Sequence, residues 1–179
     1  MSKPRFFNSK KIQEIIRVNH AGEFGAQRIY EGQINYTKDI NHKKQIKHML
    51  DEEVKHLQYF IEQIKDRNVR PTLFLPVWSV LGYAIGACSA KLGNKATMLV
   101  TESIEKVIVE HYQDQIHYLE NIKGEESLLA KLIKFCQDEA NYIEIALSEN
   151  NSQNFYISNA ISCIIQALCK AAIFLSKKI

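Results

Sequence analysis

Glycine and proline are scarce in this chain, whose 179 residues include 7 glycines and 3 prolines. Both are poor helix formers, whereas the residues that dominate here, among them Ile, Leu, Lys, Glu, Gln and Ala, are common in helices or in buried helix faces. The composition therefore argues against a sheet-based fold and favours an all-α one. The length fits one domain with a sizeable core, and we expect residues 1–179 to form a single domain.

A strong charge of one sign is also missing. The formal net charge is only +3, and lysines are interleaved with Glu and Asp along the predicted helical faces. This pattern is typical of a solvated surface and not of a face that binds nucleic acid. No nucleic-acid partner is expected.

The chain lacks the C-x-x-C spacing of many metal and redox sites, although it contains 4 cysteines. Its first ten residues, MSKPRFFNSK, are too short and too polar for a signal sequence or a transit peptide. We therefore expect reduced thiols on the cytosolic side, present as small buried apolar residues. The four are Cys88, Cys136, Cys163 and Cys169.

Apolar residues recur at spacings of three and four along five stretches, which predicts five amphipathic helices. The first begins after an N-cap at Asn8 or Ser9. In each of the first four helices one glutamate interrupts the apolar stripe, and these residues are Glu23, Glu53, Glu105 and Glu139. The fifth, 157–176, carries no acidic residue. It is predicted to be a C-terminal amphipathic helix that closes the bundle or lies on a membrane surface.

Three of the glycines, Gly22, Gly25 and Gly32, fall inside the first predicted helix. Each costs about 1 kcal/mol of helix stability relative to alanine. We expect close approach by a neighbouring helix or a ligand to compensate.

Residues 71–90, PTLFLPVWSVLGYAIGACSA, carry no charge. The stretch approaches the length of a membrane span, but Pro76, Gly82 and Gly86 interrupt it, and a single crossing would separate two halves that must share one site. We expect a long apolar crossover, 71–94, that lies at a membrane interface or along the bundle.

Glu53 and His56 form an E-x-x-H motif, which puts a carboxylate and an imidazole on one helix face. The motif is weak by itself. However, four buried glutamates need positive partners, and no Lys or Arg stands on these stripes. The pattern predicts a four-helix bundle of two hairpins around a pair of iron or manganese ions.

Five segments carry a resemblance to a known family. They are RVNHAGEFGAQRIYEGQ at 17–33, EVKH at 53–56, RPTLFLPVWSVLGYAIGA at 70–87, EHYQDQI at 110–116 and IIQALCKAAIFLS at 164–176. Together they resemble the demethoxyubiquinone hydroxylase family of ubiquinone biosynthesis. The resemblance implies a ferritin-like di-iron monooxygenase, bound peripherally to the cytoplasmic face of the cell membrane.

The substrate that the resemblance implies is a 2-polyprenyl-3-methyl-6-methoxy-1,4-benzoquinol, hydroxylated on its ring in the penultimate step toward ubiquinone. O2 would be the co-substrate and NADH or the quinol the reductant. The polyprenyl quinol, the membrane surface and other ubiquinone-biosynthesis proteins are the expected partners.

The resemblance also implies a ligand set. Glu23, Glu53 and His56 match the ligands of the first iron, and Glu53 would bridge to a second iron held by Glu105 and Glu139. The family pattern on the fourth helix is again E-x-x-H. This chain departs from it and has Tyr142 at the expected histidine position.

Tyr142 leaves three interpretations open. Its phenolate binds a ferric ion, or the neutral phenol leaves a coordination position to water or to Glu102, or the second metal site is weakened and activity is lost. A smaller departure is Asn19, where the family usually has Asp. We expect that change to alter only the hydrogen bonding around the ligands.

Other candidate residues receive supporting roles. His20 is expected to be a hydrogen-bonded core histidine, and Tyr112 a packing residue or part of a quinone channel. His111 and Asp114 are expected to support the ligands from outside. Surface positions are expected for His42, His48 and His117.

Two other classes of function fit the same sequence. One is a quinone-binding, membrane-associated family member whose catalysis lapsed with Tyr142. The other is a ferritin-like protein that handles iron or oxidants without an organic substrate.

Overall fold

The protein is all-helical over residues 9–149 and 155–178, the part of the chain that our computed structural model describes. The elements are α1 (Lys10–Tyr36), α2 (Ile40–Arg67), α3 (Leu75–Leu92), α4 (Asn94–Leu119), α5 (Glu126–Glu149) and α6 (Phe155–Lys178). The all-α prediction is confirmed.

Polar side chains and left-handed residues set the helix ends. The Ser9 side chain accepts a hydrogen bond from Ile12 N at 3.2 Å and so caps α1. The alternative cap, Asn8, lies outside the described residues. Asp39 caps α2, and Asn68, at φ 53°, ends it in the left-handed conformation that commonly closes a helix.

Two helical hairpins form the bundle. Helix α1 packs on α2, and α4 packs on α5. The hairpins meet through side chains: Tyr30 of α1 donates to Glu105 of α4, and His56 of α2 contacts Phe135 of α5 with ring centroids 4.0 Å apart. The segment between the hairpins contains α3, which packs along α1.

The core consists of two apolar clusters, one toward each end of the bundle. The first cluster comprises Ile12, Ile15, Ile16, Phe60, Val69, Tyr112, Leu119, Leu128, Leu132 and Phe135. The second cluster comprises Ala26, Tyr30, Ile46, Met49, Met98, Tyr142 and Ala146. Each of the four bundle helices runs from one cluster to the other, and its glutamate lies between them.

Small residues make the crossing of α1 and α3 fit. A Cβ atom at Gly86 would overlap the backbone of Ile29, and one at Gly32 would lie 2.8 Å from Ala87 N. At Gly82 it would lie 2.9 Å from a backbone oxygen of α1. Any larger residue at these positions would push the two helices apart.

The expected close approach of a neighbouring helix is therefore confirmed at Gly32 and not seen at Gly22 or Gly25, where the alternative of a ligand stays a prediction. A Cβ atom at Gly22 would make an ordinary contact of 3.9 Å with Ile108, and one at Gly25 would have no heavy atom within 4 Å. A helix face alone does not show which of its positions the partner helix approaches.

Helix α6 rests on α1 and α4. Ser162 accepts from Ser103 at 2.9 Å, Ser176 accepts from Trp78 of α3 at 3.0 Å, and Lys170 pairs with Glu110 at 2.8 Å. Large apolar residues of α6 nevertheless face outward, including Ile161, Ile164, Leu168, Phe174 and Leu175. Helix α3 and the Ser158–Lys178 part of α6 are both long and apolar enough to cross a membrane.

Two surface expectations need correction. His42 is buried and not on the surface, because it lies in the first turn of α2, where Asp39 accepts from its backbone N–H. Cys88 and Cys163 are exposed and not buried, because they lie on outward faces of α3 and α6. His48 and His117 are exposed, as predicted.

Candidate metal centre

Three glutamates and one histidine converge at the middle of the bundle. One ligand atom from each of Glu23, Glu53, His56 and Glu139 lies within 4.8 Å of the others. All four side chains are buried, with exposed fractions between 1 and 3 %. The sequence singled out each of these residues, because each interrupts an apolar stripe.

Glu105 borders this group from α4. It is equally buried, hydrogen-bonds to Glu139, and accepts a hydrogen bond from Tyr30 at 2.8 Å. The structure thus brings together all five of the predicted glutamate and histidine ligands. Their assignment to particular metal ions stays a prediction.

His56 is held between carboxylates on both sides of its ring. Its Nδ1 lies 3.2 Å from Glu139 Oε1 and 3.6 Å from Glu23 Oε2, and its Nε2 lies 3.2 Å from Asp138 Oδ2. Asp138 was not singled out from the sequence. The sequence signal for Asp138 was its position directly before the predicted ligand Glu139, and this signal is weak by itself.

Burial and mutual repulsion perturb the glutamates. Burial, with repulsion from Glu139, Glu23 and Glu105, raises the pKa of Glu53 well above its usual range. Burial likewise raises the pKa of Glu139 well above its usual range. It also raises the pKa of Glu105 to about 7, although the hydrogen bond from Tyr30 opposes this shift.

His56 and Glu23 behave as an ion pair. Burial lowers the pKa of His56, but Glu23, Glu53 and Asp138 outweigh it and raise this pKa to about 9. Burial raises the pKa of Glu23, but attraction to His56 and the hydrogen bond from Tyr112 more than offset it and lower this pKa. One histidine cation cannot balance four ionised carboxylates, so without metal the glutamates of the cluster take up protons instead.

Three carboxylate oxygens of the cluster are buried without a hydrogen-bond partner among the described residues. They are Glu23 Oε2, Glu53 Oε1 and Glu139 Oε2. Buried polar atoms are rarely left unsatisfied, and oxygen-rich donors with an imidazole suit iron or manganese. The residues present therefore fit a dinuclear metal centre, which would supply both the missing positive charge and the missing partners.

Two tyrosines of the apolar clusters support the glutamates. Tyr112 donates a hydrogen bond to Glu23 Oε1, and Tyr30 donates to Glu105. Tyr112 thus packs in the first apolar cluster, as expected, and also holds a predicted ligand. Its hydrogen bond depends on how α4 is aligned along α1, which the sequence pattern does not specify.

Tyr142 lies one turn beyond Glu139, in the second apolar cluster, and its side chain is buried. Its hydroxyl has no hydrogen-bond partner among the described residues. Burial, and then repulsion from Glu53, Glu139 and Glu105, raises its pKa far above the usual range. Glu102, the alternative ligand to Tyr142, accepts a hydrogen bond from Lys106 at 2.6 Å.

The other predicted residues lie around the centre. Asn19 and Gln115 exchange two hydrogen bonds of 2.7 and 2.9 Å, and Gln115 Nε2 lies 2.6 Å from His111 Nε2. These contacts connect His111 to Asn19 through Gln115, and among the described residues they do not reach a predicted metal ligand. His20 lies in the core, as expected, but its Nδ1 has no hydrogen-bond partner among the described residues.

Comparisons with known proteins agree with this geometry. Residues 10–176 match the family model described as Ubiquinone biosynthesis protein COQ7. The NADPH-dependent 3-demethoxyubiquinone 3-hydroxylase of Homo sapiens is 38% identical over 170 residues, which are 94% of this chain and 78% of the human protein. The 3-demethoxyubiquinol 3-hydroxylase of Rhodospirillum rubrum is 37% identical over 169 residues, with 94% and 78% covered.

A third relative, from Dictyostelium discoideum, has the same name as the human protein and is 37% identical over 169 residues, covering 94% of this chain and 77% of the relative. The matches span all four bundle helices and most of α6. The resemblance noted in the sequence is confirmed, and this chain belongs to the COQ7 family of ubiquinone biosynthesis proteins.

Proposed function

We propose that this protein is an O2-dependent monooxygenase that hydroxylates the ring of a 2-polyprenyl-3-methyl-6-methoxy-1,4-benzoquinol, the penultimate step of ubiquinone biosynthesis. The observation that carries the proposal is the buried cluster of Glu23, Glu53, His56 and Glu139, with Glu105 beside it. Relatives named as hydroxylases of this quinone support it. The whole chain, 1–179, would act as one domain.

The five residues would hold two iron ions, with manganese as the alternative metal. Glu23, Glu53 and His56 would bind one ion, and Glu53 would bridge to a second ion at Glu105 and Glu139. When bound, the iron pair supplies the O2 chemistry, which no amino-acid side chain supplies.

The protein's part is to fix the ligands and keep water away. Tyr112 and Tyr30 donate to Glu23 and Glu105 and so orient those carboxylates for metal binding. The two apolar clusters close the bundle on either side of the centre. A dry pocket of this kind keeps the reaction at the quinol ring and suppresses side reactions with solvent.

A functional assay tests the proposal. Iron-loaded protein, given the quinol, air and either NADH or NADPH, is expected to form the hydroxylated quinol, detected by mass spectrometry. Both nucleotides are supplied because the human and Dictyostelium relatives are named NADPH-dependent. The proposal fails if the protein binds two iron ions and no hydroxylated product forms, or if expression does not restore ubiquinone in a bacterial strain blocked at this step.

A second candidate is a quinone-binding family member without catalysis, which the unpartnered Tyr142 hydroxyl at the histidine position favours. Complementation of the blocked strain separates the two candidates. Rescue only by Tyr142→His would support the non-catalytic alternative, whereas rescue by the natural chain would exclude it.

Asp138 gives a prediction about metal affinity. Its carboxylate lies 3.2 Å from His56 Nε2, on the side of the ring away from Glu139. A carboxylate in this position fixes the orientation of a metal-binding histidine. We expect Asp138→Ala to weaken iron binding by about tenfold or more, measured by competition with a chelator. Glu144→Gln, an exposed carboxylate on the same helix, is the control and should bind iron normally.

A polyprenyl tail needs an apolar environment, and we place it in the cytoplasmic leaflet of the cell membrane. The outward apolar side chains of α3 and α6 would lie on the bilayer, where other ubiquinone-biosynthesis proteins would also be found. Ile164 and Phe174 are 60 and 59 % exposed, and Lys177 and Lys178 close α6 with positive charge. Anionic headgroups would attract these lysines.

The double variant Ile164→Gln, Leu168→Gln is expected to bind anionic vesicles at least about tenfold more weakly, because two apolar side chains no longer leave water and no charge is added. Co-sedimentation with vesicles measures the change. Ile133→Gln on α5, which is also partly exposed, is the control and should leave binding intact. Equal binding by the double variant and the natural chain would exclude α6 as the membrane-facing helix.

A further inference from the structure

The ring of Tyr142 packs against apolar side chains. Its ring packs in the second apolar cluster, whose other members are Ala26, Tyr30, Ile46, Met49, Met98 and Ala146. The only polar side-chain group among them is the Tyr30 hydroxyl, which donates to Glu105. A phenylalanine would fill this apolar site equally well without burying a hydroxyl.

The hydroxyl is buried and lacks a hydrogen-bond partner within the described part of the chain. Tyr142 stands three residues after Glu139, so both side chains leave the same face of α5. The charged groups that act most on its phenol are those of Glu53, Glu139 and Glu105, and Glu52 follows them. The first three carboxylates are the ones that would hold the second metal ion.

We propose that Tyr142 binds the second metal ion through its phenolate oxygen, beside Glu105 and Glu139. This inference rests on the metal centre of the proposed function and goes beyond it by choosing among the three interpretations of this residue. Binding replaces the O–H bond of the phenol by an oxygen–iron bond and releases one proton to solvent. The unpartnered hydroxyl thereby gains the partner that it lacks.

A phenolate ligand changes the properties of the centre. It brings a negative charge where a histidine would be neutral, and so it stabilises the ferric over the ferrous state at this position. Phenolate bound to ferric iron also absorbs visible light by charge transfer, whereas carboxylate and imidazole ligands do not produce such a band. Colour is therefore a readout that is independent of catalysis.

The test uses the full chain, freed of metal and loaded with ferrous iron without air. Ferricyanide then takes one electron from each ferrous ion, and a desalting column removes it. We expect a visible absorption band in the natural chain and its loss in Tyr142→Phe and Tyr142→His. Resonance Raman spectra excited in the band should show phenolate ring modes that shift when tyrosine is ring-deuterated.

Tyr30→Phe and Tyr112→Phe test whether another phenol near the centre is the ligand, since Tyr30 donates to Glu105 and Tyr112 donates to Glu23. Both phenols orient predicted ligands, so the band is compared per bound ferric ion, and on that scale both variants should keep it. Its loss in either of them, together with its persistence in Tyr142→Phe, would overturn the inference. Two ferric ions bound without a band would overturn it as well, and so would a failure to bind iron. If Tyr142→Phe does not fold, the folded Tyr142→His variant decides the question.

The quinol assay on the same samples separates this inference from the proposed function. Hydroxylation by a colourless ferric protein would overturn the role of Tyr142 alone. A coloured protein that does not hydroxylate the quinol would support the role of Tyr142 and overturn the proposed function.

Discussion

Gly86→Ala is expected to lower the free energy of unfolding by about 3 kcal/mol or more, the upper range for overpacked sites. The added Cβ would overlap the Ile29 carbonyl and lie 3.0 Å from Gln33 N, and both are backbone atoms of α1. A backbone cannot turn away as a flexible side chain can, so α1 and α3 must separate. Urea denaturation of the metal-free protein measures the loss.

Gly25→Ala is the matched control on the facing helix. Its Cβ would have no heavy atom within 4 Å, and the residue lies inside α1. Alanine favours the helix over glycine by about 1 kcal/mol, so this variant should be more stable than the natural chain. If both substitutions destabilise the protein equally, close packing of α3 on α1 is not the reason for Gly86.

The helices themselves could be predicted because their signals are local. Apolar spacing predicted the four bundle helices and α6, and Ser9 was one of two predicted caps for α1. The crossover was expected to lie along the bundle or at a membrane interface, and α3 packs along α1 while part of its apolar surface stays exposed. Where α3 packs depends on which glycines of the two helices face each other, and that is a property of the pair and not of either sequence segment.

The candidate centre was predictable for a related reason. Along each helix, the glutamate lies between residues of the two apolar clusters. All four glutamates therefore lie at a similar height in the bundle, and their side chains meet in its core. The hydrogen bonds of Asp138 and Tyr112 were not predictable. Spacing along one helix gives the face of a side chain but not its height relative to a partner on another helix.

Glu53→Gln is expected to reduce quinol hydroxylation by more than about 100-fold, since even residues that only support metal ligands often account for 10–100-fold. Glu53 is the central carboxylate: it is 1 % exposed, and Glu23, Glu105 and Glu139 all act on its pKa. Glutamine keeps the shape but cannot carry the charge that would bridge two cations. Iron content and product formation measure the effect.

The same substitution should stabilise the metal-free protein. The pKa of Glu53 is raised in the folded state, so the folded chain binds more protons than the unfolded one above the usual carboxyl pKa. Stability of the natural chain therefore falls as pH rises from that value toward the folded pKa. Glutamine does not titrate, so metal-free Glu53→Gln should unfold at a higher temperature at pH 7 and near the natural value at pH 4.

Metal should reverse this order of stability. An ion that binds only the folded state, at a thousand times its Kd, adds about 4 kcal/mol, and the natural chain gains this while Glu53→Gln does not. Glu52→Gln is the control, because Glu52 pairs with Lys55 and is not a predicted ligand. This variant should have the same stability as the natural chain, both without metal and with it. If Glu53→Gln binds two iron ions and hydroxylates the quinol normally, Glu53 is not a bridging ligand. If metal reverses the order of stability for Glu53→Gln and not for Glu52→Gln, the buried carboxylates destabilise the fold until metal neutralises them.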